Sequence, residues 1–541
     1  MNKIYDVLVI GSGGAGLSAA LEAKKYSQNI LVVSKTDPTS SQTSQAQGGI
    51  NAVLNSEKDS ISSHIKDTIK AGCEMQNNEV IHYMCENAKE TIQWLDELGV
   101  PFSRDEYKNI AQRNFGGASY PRTCYSSDYT GLKILHTLYE QCIKENLHFL
   151  TDHLVLNFIK DENTNTIKGI HLLNIITGKI SQIFSKSIII ASGGYAGVYD
   201  NFTTNSTATT GEMISIALDA GCELENMEFI QFHPTSLKES RILISESARG
   251  EGGYLIDQDN NRFIDELKPR DEVARAIYEK IENGDKVYLD LRHLGLDKIQ
   301  KTMPQEYQIV RNFTGLSLDK DIIEITPSAH YTMGGIKVDL NANTNINNLF
   351  ACGECASNKV HGANRLGGNS LLEIVTFGKL AGKNAGKNAK KITYFDTNKY
   401  TSLLKETQLS IEDIYNLPNT INYQTIKKEL GEILFKNVGL FREELSLNNA
   451  LESIKKWIKD IRKMGIADKS KVYNTDLKEF LEFQNILTIA HIIIHSAIQR
   501  EESRGAHYRK DYLEINTKFR HSMIVLKTDN NIGLHYETNH L

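Results

Sequence analysis

The chain has 541 residues, of which 40% are hydrophobic and 24% charged, so it is long enough for several domains with packed cores. Its formal net charge of -6 gives no support for nucleic-acid binding. Seven scattered cysteines without a secretory segment are typical of reduced thiols in the cytosol. The Cys352-x-x-Cys355 pair has no second pair, so we predict no metal site and no iron–sulfur cluster within the chain. We also expect no run of the roughly 18 apolar residues that cross a membrane.

The first 35 residues predict a nucleotide-binding turn. Residues 5–10 have the pattern of a buried strand, residues 17–25 that of a helix, and Gly11-Ser-Gly-Gly-Ala-Gly16 lies between them. In such a turn the glycines allow the chain to reverse, the backbone to approach a pyrophosphate, and the helix to pack on the strand. The next strand, residues 29–34, ends in Ser34-Lys35 rather than in an acid. An acid there would bind the ribose of NAD, so its absence favours a flavin nucleotide.

The elements that follow predict a doubly wound sheet. Residues 39–51 form a loop of small and polar side chains with Gly48-Gly49, placed where a flavin-binding fold passes the ring of its cofactor. A later strand ends in Ser192-Gly193-Gly194, a second turn suited to lie against a nucleotide. Periodicity predicts helices at 75–98, 132–145 and 209–221 and strands at 154–160, 169–174 and 187–191.

The composition changes near Gly221, where we place a domain boundary. Three polar clusters follow, around His233, Ser245 and Arg270, in a segment that is too long for one loop and that we interpret as a lid. A strand at 348–352 and a helix at 368–389 return to the first domain. Beyond about Lys390 the pattern is mostly helical, at 423–435, 447–464 and 477–502.

The stretch from residue 322 to 373 carries the strongest signal for a binding site. His330 and Arg365 stand among closely spaced glycines, on either side of a short apolar run that ends in Gly353-Glu354. Glycines allow close approach of the backbone, and arginine is suited to carboxylates. We therefore expect a site for a flat anion.

These motifs resemble the flavoprotein subunits of succinate dehydrogenase and fumarate reductase, a family that also includes L-aspartate oxidase. The resemblance covers nearly the whole chain. The matching stretches are GSGGAG at Gly11, AQGGI at Ala46, FGG at Phe115, TGLKILHTLY at Thr130, QFHPT at Gln231, SESARGEGGYL at Ser245, PRD at Pro269, VYLDLRHLG at Val287, AHYTMGGI at Ala329, GEC at Gly353, HGANRLGGNSLLE at His361 and SRGAH at Ser503.

The resemblance implies an α/β fold with three parts. A Rossmann-like FAD-binding domain would comprise residues 1–221 and 330–390, with an inserted α+β capping domain at 222–329 and a C-terminal helical domain at 391–541. It also implies an FAD-dependent oxidoreductase that interconverts fumarate and succinate by hydride transfer with flavin N5. Because the proton donor lies in the capping domain, closure of that lid would be part of the mechanism.

The resemblance also implies residue roles. Arg270 would deliver the proton, fed by a relay at Glu246 and Arg249. The two carboxylates of a four-carbon dicarboxylate would be bound by His233, Ser245, His330 and Arg365. The FAD would be held by Gly11, Gly13, Gly14, Gly16, Ser34, Lys35, Ser41, Gln47, Gly48, Gly49, Gly193, Glu354, Ser370 and Leu371.

Three positions depart from the family pattern. The histidine that binds flavin covalently is replaced by Gln42, so we expect non-covalent FAD and, because the covalent link supports succinate oxidation, a preference for fumarate reduction. The Thr-Gly-Asp-Gly motif reads Thr210-Gly-Glu212-Met, which changes a cofactor contact. Ser245 replaces a threonine and keeps the hydroxyl group.

Two other functions are open at this point. L-aspartate oxidase shares the fold but carries a glutamate, which meets the substrate's ammonium group, where this chain has Phe115. A non-catalytic flavin subunit would have lost some of His233, Arg270, His330 and Arg365, and all four are present.

The resemblance further implies an iron–sulfur partner subunit, with or without a membrane anchor. The protein would then be cytoplasmic, or peripheral on the inner face of the cell membrane through its partners. The basic segment from Ser503 to Arg509 has two interpretations, a solvated tail or a docking surface for that partner.

Overall fold

The computed structural model of the protein describes residues 4–528 and 531–537. The strands, numbered in chain order, are β1 Ile4–Ile10, β2 Ile30–Val33, β3 Ile50–Asn51, β4 Gln112–Arg113, β5 Thr123–Cys124, β6 His148–Leu150, β7 His153–Asp161, β8 Thr166–Asn174, β9 Ile180–Ile190, β10 Leu224–Glu225, β11 Ile230–Leu237, β12 Tyr254–Asp257, β13 Val287–Asp290, β14 Ile323–Thr332, β15 Gly335–Lys337, β16 Leu349–Ala351, β17 Ala356–Ser357, β18 Ser522–Thr528 and β19 Asn531–Glu537.

The helices, numbered in the same way, are α1 Gly14–Lys24, α2 Ile61–Ala71, α3 Asn78–Leu98, α4 Thr130–Lys144, α5 Glu212–Asp219, α6 Glu246–Gly250, α7 Arg270–Glu282, α8 Leu296–Thr302, α9 Pro304–Thr314, α10 Asn369–Lys391, α11 Leu403–Asn416, α12 Tyr423–Asn437, α13 Glu444–Asp460 and α14 Thr475–Gln499. The loop predicted at 39–51 contains short 3-10 turns before β3.

The main sheet has the order β6-β2-β1-β9-β8-β7, with β16 paired to β9. Strand β1 is parallel to both β2 and β9, and its apolar run is buried on both faces, as parallel sheets require. Strand β16 pairs in parallel with β9, so the chain rejoins this sheet after the lid. Helices α1 and α10 pack so closely at Gly382 that a Cβ there would lie 2.1 Å from the carbonyl oxygen of Ala19. The predicted α/β nucleotide-binding fold is confirmed.

The inserted lid has its own four-stranded sheet, in the order β11-β14-β13-β12, and its own apolar core. Helices α6 to α9 lie within the same segment, so the insert is α+β as predicted. Strand β10 belongs instead to a sheet with β15 and β18. The residue boundaries of the domains, at 221, 329 and 390, stay predictions.

The C-terminal part differs from the mostly helical prediction. Helices α11 to α14 are followed by the antiparallel pair β18–β19, and β18 pairs with β10 at Val525 and Leu224. The end of the chain therefore returns to the base of the lid. Sequence periodicity did not reveal this because β10 has only two residues and lies about 300 positions away.

Both interpretations of the basic segment from Ser503 to Arg509 are wrong. Arg504, His507 and Arg509 are buried. The Glu502 carboxylate accepts hydrogen bonds from Arg504 Nε at 2.8 Å and Arg500 Nη1 at 3.1 Å. The guanidinium groups pair with acids within the fold, so the segment is neither a solvated tail nor a basic docking surface.

The expectation that no segment could span a membrane also needs correction. Within the described residues, helix α14 is long enough and apolar enough to cross a membrane, judged by length and composition alone. However, 61% of its most apolar window is buried in the protein, against α13 and α5 among other elements. Such burial is typical of the core helix of a domain.

Candidate functional site

One cleft runs from the carboxyl ends of β1 and β2 to the underside of the lid. The structure brings almost all of the predicted site residues to its walls. They are Gly11, Gly13, Gly14, Ser34, Lys35, Ser41, Gln47, Gly48, Gly49, Gly193, His233, Ser245, Glu246, Arg270, His330, Glu354, Arg365, Ser370 and Leu371. Gly16 and Arg249 do not line it.

The glycine turn after β1 places the N-terminus of α1, a position suited to an anion, against the cleft, where Gly14 N donates to Thr43 Oγ1 at 3.0 Å. Gly11 has φ +109°, a conformation that other residues rarely adopt. Gly13 is the N-cap of α1 and has no side chain with which to cap the first amide groups of the helix. A Cβ at Gly16 would lie 2.0 Å from the carbonyl oxygen of Gly11. Gly16 therefore allows the helix to pack on the turn and does not itself face the cleft.

Several polar atoms along the cleft fit a dinucleotide with a polar ring system. Ser41 Oγ, Gln47 Oε1 and Ser192 Oγ are buried, line the cleft and have no hydrogen-bond partner among residues 4–528 and 531–537. Buried polar atoms without partners are rare, and a ligand is one explanation of them. Helix α10 begins after Gly368, which also cannot cap it, and its first residues Ser370 and Leu371 line the cleft. The residues present therefore fit FAD.

Lys35, just after β2, pairs with two acids from other parts of the chain. Lys35 Nζ lies 2.7 Å from Glu212 Oε1 and 2.9 Å from Glu482 Oε1. Burial alone would lower the pKa of Lys35, but the two carboxylates raise it. Glu212, the departure in the Thr-Gly-Asp-Gly motif, thus lines the cleft as the partner of Lys35, whose side chain is 13% exposed.

At the lid end, Arg270 and Glu246 form a buried ion pair. Arg270 Nε donates to Glu246 Oε2 at 2.7 Å, and the other carboxylate oxygen accepts from Gly116 N at 2.7 Å. Burial would raise the pKa of Glu246, but the Arg270 and Arg249 guanidinium groups lower it overall. The ionised pair therefore joins the lid to the loop at Gly116.

Gln231 bridges the two arginines of the cleft, a contact that the sequence analysis missed. Its Oε1 accepts from Arg365 Nη2 at 3.0 Å and from Arg270 Nη1 at 3.3 Å. Its amide donates to Asn364 Oδ1 at 2.7 Å, which fixes the side chain. The Arg365 guanidinium also stacks on Tyr331, 4.2 Å from the ring centre. The sequence pointed to Gln231 only through the motif Gln-Phe-His-Pro-Thr. Its contact with Arg270 could not be predicted, because Gln231 on β11 and Arg270 on α7 are distant in sequence.

The two histidines of the cleft are neutral hydrogen-bonding groups. The rings of His233 and His330 lie edge to face with centres 4.9 Å apart. His330 Nδ1 contacts Thr204 Oγ1 at 2.7 Å. Burial, together with the nearby arginines, lowers the pKa of both histidines well below their usual value. The positive charge of the site therefore comes from Arg270 and Arg365.

Arg249 lies behind the cleft. Its Nη1 donates to the carbonyl oxygen of Glu266 at 2.6 Å. Nε and Nη2 are buried without a partner in the part of the chain that the structure describes. Arg249 is close enough to lower the pKa of Glu246, but no direct hydrogen bond between them is present among the described residues. Any relay from Arg249 to Glu246 needs a movement or a bridging group.

The arrangement suits a planar dianion held against a ring system. Two arginines joined through Gln231 supply charge-assisted donors, and two neutral imidazoles supply further polar contacts. Burial and the neighbouring Arg270 lower the pKa of Arg365 to about 9. An added dianion would relieve this repulsion between the two cations.

Two family matches cover most of the chain: the FAD binding domain family at residues 6–371, and the fumarate reductase flavoprotein C-terminal family at 427–541. The 8-methylmenaquinol:fumarate reductase flavoprotein subunit of Wolinella succinogenes is 38% identical, over 98% of this chain and 89% of that protein. The succinate dehydrogenase flavoprotein subunit of Rickettsia bellii is 35% identical, over 95% and 92%. A solved quinol-fumarate reductase with menaquinol molecules superimposes with a TM-score of 0.95 at 32% identity, over 100% of this chain and 99% of that one. The chain therefore belongs to the FAD-dependent family of fumarate reductase and succinate dehydrogenase flavoprotein subunits.

Proposed function

We propose that this protein interconverts fumarate and succinate, with fumarate reduction favoured. The observation that carries the proposal is the buried pair of Arg270 and Arg365, joined through Gln231 at the end of the FAD cleft. Two fixed cations match the two carboxylates of a short dicarboxylate. Phe115 lines the same cleft and offers no carboxylate to a substrate ammonium group, which disfavours L-aspartate oxidation.

Each residue has a role in this proposal. Arg365, His233, His330 and the Ser245 hydroxyl bind the substrate carboxylates. Arg270 donates a proton to the substrate carbon. The buried Glu246 carboxylate, 2.7 Å from its Nε, keeps the guanidinium oriented and passes to it a proton taken up from solvent, which restores the charge of Arg270. FAD, when bound, supplies the hydride chemistry. The hydrogen bond from Gly116 N to Glu246 Oε1, at 2.7 Å, holds the lid against the loop at Gly116.

The substrate is tested by comparing fumarate with reduced viologen, succinate with an artificial acceptor, and L-aspartate with oxygen. The proposal expects succinate formation from fumarate at rates far above those of the other two reactions. Faster oxidation of L-aspartate than reduction of fumarate would replace the proposal with the oxidase function.

We also propose that FAD is bound without a covalent link. Gln42 lines the cleft and its Oε1 accepts from Ser206 N at 2.9 Å, and an amide side chain cannot form the histidyl bond. Precipitation of the purified protein in acid should therefore leave the yellow colour in the supernatant. Colour that stays in the washed pellet would contradict this prediction.

The electrons must come from outside the chain, and we propose an iron–sulfur subunit, with or without a membrane anchor, as their source. Relatives of this chain are named as flavoprotein subunits, which supports assembly into a larger complex. The protein would then be cytoplasmic or peripheral on the inner face of the cell membrane. Isolation from the native source should yield a complex containing iron and acid-labile sulfide; a flavoprotein that purifies alone with full activity would oppose it.

A further inference from the structure

A buried carboxylate lies directly behind the Ser245 hydroxyl. Glu306, in the first turn of α9, accepts from Ser245 N at 2.8 Å and from Ser245 Oγ at 2.5 Å through the same oxygen, Oε1. Ser247 Oγ approaches that oxygen at 3.2 Å. Glu306 is fully buried and does not line the cleft, while Ser245 does.

The Ser245 hydroxyl has one proton, which it donates in a hydrogen bond to Glu306 when Glu306 is ionised. A carboxylate can only accept hydrogen bonds, so the hydroxyl must donate to Glu306 in this state. Its remaining lone pairs cannot bind a substrate carboxylate, which needs a donor. The Ser247 hydroxyl is also within hydrogen-bond distance of Ser245 Oγ. If Glu306 carries a proton, the carboxyl group and the Ser247 hydroxyl can both donate to Ser245 Oγ, and the serine proton becomes free to point into the cleft.

The surroundings of Glu306 allow it to exchange a proton near neutral pH. Asp128 Oδ2 accepts from Glu306 N at 2.9 Å, and Asp128 is also buried. The charges with the largest effect on Glu306 are those of Asp128 and Arg113, and burial raises the pKa of Asp128 itself to about 6. Burial and the Asp128 carboxylate raise the pKa of Glu306 to about 7, against the opposing effect of Arg113 and the serine hydrogen bonds. Glu306 Oε2, Asp128 Oδ1 and Arg113 Nη1 lack hydrogen-bond partners within the described ranges, so the cluster is incompletely satisfied.

We propose that Glu306 is a positioning residue for substrate, and that it takes up one proton when a dicarboxylate binds so that Ser245 can donate to it. The inference rests on the proposed function, because it assigns Ser245 to the substrate. A proton must then be supplied from solvent for each dicarboxylate bound above neutral pH, and binding weakens as the pH rises. The affinity should fall about tenfold between pH 6 and pH 8, the change expected for one proton with a pKa near 7.

The test is calorimetric titration of fumarate into the oxidised FAD-containing protein, in which no reductant permits turnover. Fumarate stays a dianion over this range, and the range ends below the pKa of Arg365. Pairs of buffers with different ionisation enthalpies give the number of protons taken up. We expect about one proton at pH 8, almost none at pH 6, and the tenfold loss of affinity.

Three variants separate proton exchange from a merely structural role. Glu306→Gln, whose amide can donate to Ser245 at any pH, should show neither the proton uptake nor the loss of affinity. Asp128→Asn removes a neighbouring negative charge and should shift the weakening to lower pH. Glu324→Gln makes the same charge change in the lid sheet, where Glu324 pairs with Lys286 at 3.9 Å, and should behave as the wild type.

The outcomes are distinct. Fumarate binding with the same affinity and no proton uptake at pH 6 and pH 8 overturns the inference and leaves the proposed function in place. Proton uptake that persists in Glu306→Gln overturns it as well, because another group then titrates. Failure of the wild type to bind fumarate at any pH contradicts the proposed function itself.

Discussion

Replacement of Arg270 by glutamine is expected to lower fumarate reduction by about 10³-fold, within the range that removal of a general acid produces. The reason is positional as well as electrostatic. The Arg270 guanidinium is held by Glu246 Oε2 at 2.7 Å and by Gln231 Oε1 at 3.3 Å, so its donors have fixed directions. Glutamine lacks the positive charge and the several N–H donors with which the guanidinium contacts Glu246 and Gln231 together. The measurement is the turnover number with reduced viologen as donor.

The FAD content of this variant should remain that of the wild type, because Arg270 belongs to the lid and not to the glycine turn. The activity of Arg270→Lys should be almost as low, since a single ammonium group cannot hydrogen-bond to Glu246 and Gln231 with the geometry of the guanidinium. Arg262→Gln, which removes an ion pair with Glu266 from the half-exposed surface of the lid, is the matched control and should stay within about twofold. A folded, FAD-containing Arg270→Gln protein that keeps a tenth or more of the activity would remove Arg270 from the acid role.

Replacement of Arg365 by methionine is expected to weaken fumarate binding about 30-fold or more, since loss of one partner of a buried charge pair costs about 2–5 kcal/mol. Methionine keeps the apolar stem that packs at Tyr331 and removes the cation 4.2 Å above that ring. The effect should appear in the dissociation constant measured at pH 6 by calorimetry, and in KM more than in kcat.

A matched control for this variant is Arg241→Met. It also removes a cation stacked on an aromatic ring, 5.1 Å from the ring centre of Phe202, but Arg241 does not line the cleft. It should leave fumarate affinity within about twofold of the wild type. An Arg365→Met protein that binds fumarate as the wild type does would show that the carboxylate is bound elsewhere.

The nucleotide half of the site was predictable from the sequence because its signals are local. A buried strand, a glycine turn and a helix follow one another within 25 residues, and Gly11 and Gly16 each have a steric reason in the structure. Gly16 shows the limit of that reasoning, since the motif alone does not separate a glycine that faces the ligand from one that permits packing.

The substrate half required information that periodicity does not contain. Gln231 on β11 meets Arg365 from the loop before α10, and Glu306 on α9 meets Ser245, across separations of 134 and 61 residues. The basic segment near Arg504 was misjudged for a different reason. Its acidic partners are local, since Arg504 pairs with Glu502 and Arg509 with Asp511, but the burial of the segment within the fold is not visible in the sequence. Resemblance to a family placed Arg270 and Arg365 correctly in the cleft, but could not anticipate Glu306 behind it.

The central claim is that this chain itself carries out the reduction of fumarate, and a single-turnover experiment tests it most directly. The purified protein is reduced with dithionite under anaerobic conditions, freed of excess reductant, and mixed with fumarate while the flavin absorbance is followed. We expect rapid return of the oxidised flavin spectrum and about one succinate per FAD, found by NMR. Flavin that stays reduced in the presence of fumarate, or that is reoxidised without forming succinate, would contradict it.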